Sequence, residues 1–348
     1  MAISFDRSIC CELNETISRE WLVTNGLGGY AAGTVAGVLT RMPHGLLVAS
    51  PPNVLQPQLL LAKIDEELTF DQRTYYLGTN EYRDGIFNPS GFVHLEAFRL
   101  EEGFPIFTYR LGGIDGLILE KRIWMARGFN TTYIQYNLRH PLTLDKPAYK
   151  RSDASGPQSL NNGRLAQANE QDESKQCIIT LLPFTANRPY NMPKRGQQAP
   201  QVQVKVHKTE DTNTAGEEDP ASYLLPRGSA GCTITANTIE VPYHLIATSQ
   251  PENQATFIPT GVWYWNFLRR CDAAAGLPDT DDLYLPGVFR ATLCPDSQST
   301  LTIVVSTEEL APQLYQHRAI TALYKKNIEQ RQSTLERALR PQPAPRKT

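Results

Sequence analysis

The sequence predicts an all-β protein that ends in one long helix. Proline (25 residues) and glycine (23 residues) are spread along the 348-residue chain, and both favour turns between short strands over long helices. Runs of branched and aromatic residues recur between these turns, and after Pro312 the pattern changes to the 3.6-residue period of a helix. The predicted organisation is therefore a β-domain over residues 1–310, followed by a linker helix and a proline-rich tail over residues 311–348.

Strand signals are densest in the first 140 residues. The strands predicted from these runs are 45–49, 59–68, 92–100, 105–111, 117–125, 132–139, 177–183, 232–235, 238–248 and 299–306. Glycine-containing turns at residues 112–116 and 127–130 join three of them into an antiparallel meander. In the strand 132–139 the even-numbered residues are Thr, Ile, Tyr and Leu and most of the odd-numbered ones are more polar, which is typical of a sheet with one buried face.

Two polar segments interrupt the strands, at about residues 145–176 and 208–220. Such segments bury too little apolar area to offset their ordering entropy, so we interpret the first as a mobile insertion between strands. The helix predicted over residues 313–339 carries an apolar stripe that includes Leu314, Ile320, Tyr324, Ile328, Leu335 and Leu339. Arg331 is the polar interruption in that stripe.

Charge and cysteine content exclude several classes of function. The chain has 34 Lys+Arg and 36 Asp+Glu, a net charge of −2, so we expect neither a nucleic-acid surface nor an anionic membrane partner. The N-terminus lacks a signal-peptide pattern and no apolar run could span a bilayer, which favours a cytoplasmic location. Six cysteines without metal-ligand spacing predict no disulfide framework, no metal site and no cofactor.

The segment 20–30, EWLVTNGLGGY, contains the most informative glycines. Gly26, Gly28 and Ala31 fit the spacing of a dinucleotide-binding fingerprint. That motif requires a helix next and an acidic residue about 20 positions later, whereas the following residues hold two glycines among β-branched residues and the first acid is Asp65. A glycine-rich turn between strands is the preferred interpretation.

No catalytic residue is predicted from the sequence. It contains no Gly-x-Ser-x-Gly elbow, no His-Glu-x-x-His helix and no phosphate-binding loop. Glycoside hydrolysis needs two carboxyl groups that face each other across the scissile bond. Adjacent acids on a strand point to opposite faces, so the pairs at 66–67, 101–102 and 281–282 do not meet this requirement.

Ten sequence blocks resemble, in order, the N-terminal non-catalytic domain of the bacterial and archaeal type of glycogen debranching enzyme. The blocks are residues 20–30, 32–34, 40–49, 61–66, 79–82, 119–125, 130–133, 263–267, 276–277 and 281–289. The resemblance implies a large two-sheet antiparallel β-sandwich, or supersandwich. In that family the sandwich precedes a helical (α/α)6 barrel that hydrolyses α-1,6 branch linkages. We expect this barrel to be absent from the chain, whose last predicted helix would lead into it.

The resemblance and the residue chemistry together suggest candidate contacts. The candidates for substrate binding or for a domain interface are Trp21, Asn25, Tyr30, Arg41, His44, Trp263 and Trp265. Flat aromatic rings stack on sugar rings, while amides and arginine bond to hydroxyl groups. We expect the block that contains the first five to lie at the surface, at the rim of the catalytic cleft. A structural role for His44 and a core position for one face of the tryptophan strand remain open alternatives.

Two hypotheses for function follow. The first is a non-catalytic domain that binds and positions a glycogen-like α-glucan and docks a helical α-1,6-glucosidase barrel in cis or in trans. The second is a stand-alone glycan-binding or scaffolding protein without a hydrolase partner. Under either hypothesis the isolated chain is expected to have no hydrolase activity.

Overall fold

A computed structural model describes residues 3–114, 116–141, 176–192, 200–210, 224–250, 255–295 and 299–339. These residues form two large, mainly antiparallel sheets with few helices. Most of the two predicted polar insertions, and the proline-rich tail, lie outside the described residues. Within the described part of the chain, no helix is both long and apolar enough to cross a membrane.

The strands and helices are numbered here in chain order. The strands are β1 (Ser4–Phe5), β2 (Glu20–Thr24), β3 (Tyr30–Thr34), β4 (Gly45–Ala49), β5 (Gln58–Phe70), β6 (Arg73–Tyr76), β7 (Thr79–Glu81), β8 (Phe87–Ser90), β9 (Leu95–Glu101), β10 (Phe104–Leu111), β11 (Leu117–Met125), β12 (Thr131–Arg139), β13 (Cys177–Pro189), β14 (Val202–Val206), β15 (Lys208–Thr209), β16 (Leu224–Leu225), β17 (Ser229–Ala236), β18 (Tyr243–Gln250), β19 (Thr256–Leu268), β20 (Thr280–Leu293) and β21 (Thr300–Ser306). The helices are α1 (Arg7–Cys10), α2 (Leu13–Ile17), a 3₁₀ turn (Gly91–His94), α3 (Arg270–Ala274), α4 (Pro312–Tyr315) and α5 (His317–Leu339).

The two sheets face each other across the main core. The first sheet has the order β1-β9-β10-β11-β12-β21-β18-β17-β14, and the second has the order β19-β20-β13-β5-β4-β3-β2. Buried apolar side chains of both sheets, such as Ile123 and Ile303 of the first and Leu61 and Ile179 of the second, form one continuous cluster. The predicted two-sheet antiparallel sandwich is confirmed.

Most predicted strands are present, with shifted ends. Strand β11 has the predicted bounds, and β9 to β12 form the predicted meander. Residues 92–94 are a 3₁₀ turn instead of a strand. Strand β18 begins only at Tyr243, directly after Pro242, because proline cannot donate a hydrogen bond to a neighbouring strand.

The C-terminal helix is broken at Gln316, whose backbone is extended. Helix α5 then lies against the first sheet, where Tyr324 contacts Trp124 at 5.2 Å and Phe104 at 5.7 Å between ring centroids. Beneath it, Trp124 stacks on Tyr133 at 4.1 Å. The prediction of one buried face for strand 132–139 is therefore wrong at Tyr133, which is buried as well, because the helix covers this end of the second face.

Candidate functional site

The glycine-rich turn between β2 and β3 is held from inside by Asn25. The amide oxygen of Asn25 accepts hydrogen bonds from the backbone N–H groups of Leu27 (2.8 Å) and Gly29 (3.0 Å), and its amide nitrogen donates to Asn130 Oδ1 (3.0 Å). Gly26 has a φ of +80°, a conformation that favours glycine. Asn25 is 0% exposed. The expectation that its side chain lies at the surface is therefore wrong.

Trp21 belongs to the core between the sheets. Its ring meets Phe107 edge to face at a centroid distance of 6.1 Å, and its indole N–H donates to the carbonyl of Thr34 (3.2 Å). Gly33 packs closely against this ring, since a Cβ at residue 33 would be 3.3 Å from the indole. Trp21 is buried, so the expectation of an outward-facing ring is wrong for this residue too.

Arg41 and His44 lie on the same loop but in different environments. Arg41 is partly exposed and its Nε lies 2.7 Å from Glu20 Oε1. His44 is 4% exposed, its Nδ1 accepts the backbone N–H of Thr40 (3.2 Å), and its Nε2 lies 3.5 Å from the same Glu20 oxygen. Burial lowers the pKa of His44 to about 4, so the imidazole is neutral at pH 7. Only Arg41 of the two can reach a partner in solution.

A buried ionic group lies beneath this loop, and the sequence did not single it out as a site. Arg188 donates to Asp281 Oδ2 from Nη2 (2.7 Å) and Nε (3.1 Å), and Arg269 Nη2 lies 3.3 Å from the same oxygen. Arg188 also donates to the backbone carbonyls of Met42 (3.1 Å) and Tyr190 (2.9 Å). Burial lowers the pKa of Arg269 to about 10, which leaves it charged at neutral pH.

Four half-buried tyrosines lie together on the second sheet. They cover a small apolar cluster on the face of the second sheet that points away from the first, and we call them the tyrosine face: Tyr30, Tyr82, Tyr190 and Tyr264. Tyr264 meets Phe184 edge to face at 4.9 Å, and Tyr82 contacts Phe267 at 5.1 Å. The Tyr30 hydroxyl donates to the carbonyl of Pro43 (3.0 Å). The structure thus brings Tyr30 beside three tyrosines that were not predicted as site residues.

Trp263 and Trp265 form a second aromatic surface, which we call the tryptophan pair. Their rings stack at 5.8 Å with an interplanar angle of 23°, and Trp265 is 47% exposed. Trp263 also contacts Tyr284 at 5.1 Å. Tyr264 packs on the small cluster of the opposite face, as the alternation of side chains along edge strand β19 requires. Whether the pair binds sugar remains a prediction.

A second group of buried charges lies beside a cavity that is too small for a sugar. A cavity of about 40 Å³ lies beside Lys63, Asp65, Glu66 and Lys121, far below the roughly 300–1,000 Å³ of ordinary ligand pockets. The carboxylates there are paired, Asp65 with Lys63 at 2.8 Å and Glu66 with Lys121 at 2.5 Å. Burial lowers the pKa of Lys63. Among the described residues, no three His, Cys, Asp or Glu side chains cluster as metal ligands would.

Comparison with known families identifies one match. The model of the family described as "Glycogen debranching enzyme N terminal" matches residues 19–153 and 161–300. No curated protein sequence matches the chain significantly.

Several solved structures have weak similarity to this fold. A bacterial glucoamylase complexed with acarbose has 7% identity and a TM-score of 0.35, over 92% of this chain and 36% of that protein. A putative kojibiose phosphorylase from human microbiome has 10% identity and a TM-score of 0.32, over 81% of this chain and 28% of that protein. A putative aldose 1-epimerase from Escherichia coli K12 has 12% identity and a TM-score of 0.34, over 84% of this chain and 99% of that one. The chain thus spans about a third of the first two proteins.

Proposed function

Because the chain belongs to the glycogen debranching enzyme N-terminal family, we propose that it is the non-catalytic domain of such an enzyme. In this role it binds and positions a glycogen-like α-glucan and docks a helical α-1,6-glucosidase domain. The family match carries the proposal. Two surfaces support it: the tyrosine face as the docking surface and the tryptophan pair as a glucan contact.

The tyrosine face has the composition of an interface. Its phenol rings are half-buried over apolar side chains, and tyrosine is enriched at protein interfaces because it has an apolar body and a polar tip. The carbonyl of Tyr190 is held by the buried guanidinium of Arg188 (2.9 Å), which fixes the backbone under this ring. A surface ordered before binding loses little conformational entropy on docking.

The tryptophan pair has the geometry of a sugar platform. The two indoles are nearly parallel, and the exposed ring of Trp265 offers an aromatic surface on which the C–H face of a glucose unit can stack. The pair lies on the opposite side of β19 from Tyr264. A bound glucan and a docked domain would therefore not compete for the same side chains.

Binding of a malto-oligosaccharide, measured by calorimetry, tests the glucan role. Trp265→Ala should weaken binding by about two- to tenfold, since an aromatic contact is worth about 0.5–1.5 kcal/mol. Tyr76→Ala, which removes another exposed aromatic side chain, is the matched control and should bind as the wild type does. Equal affinity of the Trp265 variant and the wild type would exclude the pair as the contact.

The docking role is tested by mixing the chain with a separately expressed catalytic barrel of the family and measuring whether hydrolase activity is restored. Tyr190→Ala and Tyr264→Ala should weaken association with the barrel while leaving glucan binding by the isolated chain unchanged. If the wild-type chain binds glucan but no barrel, the stand-alone glycan-binding protein is the better description. The position of the tryptophan pair away from the tyrosine face is the observation that keeps this second function open.

A further inference from the structure

A large groove lies beside the C-terminal helix, and no residue of the tyrosine face or of the tryptophan pair lines it. Its volume is about 1100 Å³, and its walls are helix α5, the turn between β9 and β10, and the glycine-rich turn after β2. The groove is lined in part by Gly26, Gly103, Arg127, Arg331 and Gln332. The exposed side of the glycine-rich turn therefore faces this groove.

Two arginines enter the groove, each lying against a glycine. A Cβ on Gly26 would lie 3.8 Å from Arg127 Cγ, and a Cβ on Gly103 would lie only 2.7 Å from Arg331 Nη1. Arg331 is also placed over the Phe104 ring, 4.2 Å from its centroid. Because Gly103 has no side chain, the Arg331 guanidinium can occupy the space beside it.

Neither arginine has a carboxylate partner among the described residues. Arg331 donates only to the backbone carbonyl of Glu102 (3.3 Å), and Arg127 is exposed. Burial lowers the pKa of Arg331, and the positive charge of Arg127 lowers it further. Two like charges that lie close to each other are stabilised when an anion binds between them.

The two acidic side chains of the groove form no ion pair with either arginine among the described residues. Glu101 is engaged by Arg99 at 3.3 Å and by Arg122 at 3.0 Å. The Glu102 carboxylate accepts from Gln332 (3.4 Å) and forms no ion pair with a described residue. The residues that line the groove include three arginines, with Arg99 the third, and these two glutamates, so the net charge of the lining is positive.

We propose that this groove binds a phosphorylated sugar, with the phosphate between Arg127 and Arg331. Guanidinium groups bind phosphate through paired, charge-assisted hydrogen bonds. The groove is far larger than a phosphate group, and neutral groups such as Gln332 and Thr24 line it, which suits a hydroxyl-rich body. The choice of a hexose as that body rests on the proposed function, whereas the phosphate contact rests on the two arginines alone.

Calorimetry with the full chain at low salt tests the proposal with three probes: glucose 1-phosphate, inorganic phosphate and glucose. We expect glucose 1-phosphate to bind, and Arg127→Gln and Arg331→Gln each to weaken it at least about tenfold, as for a lost charge-assisted hydrogen bond. Arg83→Gln, at an exposed arginine outside the groove, should bind as the wild type does. Circular dichroism confirms that each variant is folded. Arg331→Gln also removes the contact of Arg331 with the Phe104 ring. Arg127→Gln is free of this effect, since Arg127 makes no ring contact in the described chain.

Four results would overturn the proposal, wholly or in one part. Absence of binding by both phosphate probes at millimolar concentration, or unchanged affinity in Arg127→Gln, removes the site. Equal affinity for glucose and glucose 1-phosphate removes the phosphate contact. Equal affinity for inorganic phosphate and glucose 1-phosphate removes the sugar. Trp265→Ala should leave glucose 1-phosphate binding unchanged, so a failure of the glucan proposal can be told apart from a failure here.

Discussion

Arg188 and Asp281 form a fully buried ion pair in which Nη2 and Nε of the arginine lie 2.7 Å and 3.1 Å from one carboxylate oxygen. Arg269 shares that oxygen at 3.3 Å. The pair joins β13 to the start of β20 and, through the carbonyl of Met42, to the loop that carries Arg41 and His44. It fixes the backbone beneath the tyrosine face.

Asp281→Asn should destabilise the chain by about 3–5 kcal/mol, because two buried guanidinium groups would lose their shared counter-charge. Urea denaturation followed by circular dichroism measures the free energy of unfolding. Glu96→Gln, which removes a carboxylate from the more exposed ion pairs with Arg7 and Arg110, is the control and should cost about 1 kcal/mol or less. Equal losses for the two variants would contradict a stabilising role for the buried pair.

Asn25→Ala should lower the free energy of unfolding by about 1–3 kcal/mol, since buried partners of the side chain would remain unsatisfied. Leu27→Ala on the same turn is the control, because Leu27 is 50% exposed and its loss should cost little. Thermal melting beside glucan affinity checks this prediction. An unchanged melting temperature together with weaker glucan binding would contradict this prediction and would indicate that Asn25 contacts glucan at the surface.

The stability of the chain should fall as the pH drops from about 6.5 to about 4. The pKa of His44 is lowered by burial to about 4, so in this range the unfolded state takes up a proton that the folded state does not. The contribution of His44 is complete above pH 6.5 and is lost towards pH 4, by an amount of the order of 1–3 kcal/mol.

His44→Gln should flatten this dependence in denaturation curves recorded between pH 4 and pH 7. Part of the slope should remain, because burial also lowers the pKa of His207 to about 4. An identical slope in the wild type and in His44→Gln would show that His44 does not change its protonation on unfolding.

The purified chain should release no glucose from branched dextrins. Hydrolysis needs two carboxyl groups about 5–9.5 Å apart on either side of a bound sugar, whereas Asp65 and Glu66 are buried and paired with lysines. A reducing-sugar assay measures the activity, with the chain plus a family barrel as the positive control. Turnover by the chain alone that disappears in Glu66→Gln would contradict the assignment of a non-catalytic domain.

Local patterns were sufficient to predict much of the fold. Strand β11 was predicted to the residue because glycine turns limit it on both sides and branched residues fill it. The apolar stripe of the last helix was also correct in placing Ile320 and Tyr324 against the β-domain. The break at Gln316 was missed, since no glycine or proline follows that residue directly.

The candidate site was predicted less completely. Tyr30, Trp263 and Trp265 were chosen as candidates because aromatic residues stand out in a short motif, and their role stays a prediction. Arg188 was not predicted as a site residue because its partner Asp281 is 93 residues away along the chain. A buried arginine with a distant acidic partner leaves no local signal in a sequence.

The sequence by itself determined the all-β class, the meander, the glycine turn and the family, because these depend on residue order over short distances. Only the tertiary structure decided which motif side chains are inside. Asn25 is enclosed by the turn at Asn130. Tyr133 is buried because Trp124 stacks on it and Tyr324 of the C-terminal helix packs on Trp124. Alternation along a strand separates its two faces, but burial depends on what later segments place against each face.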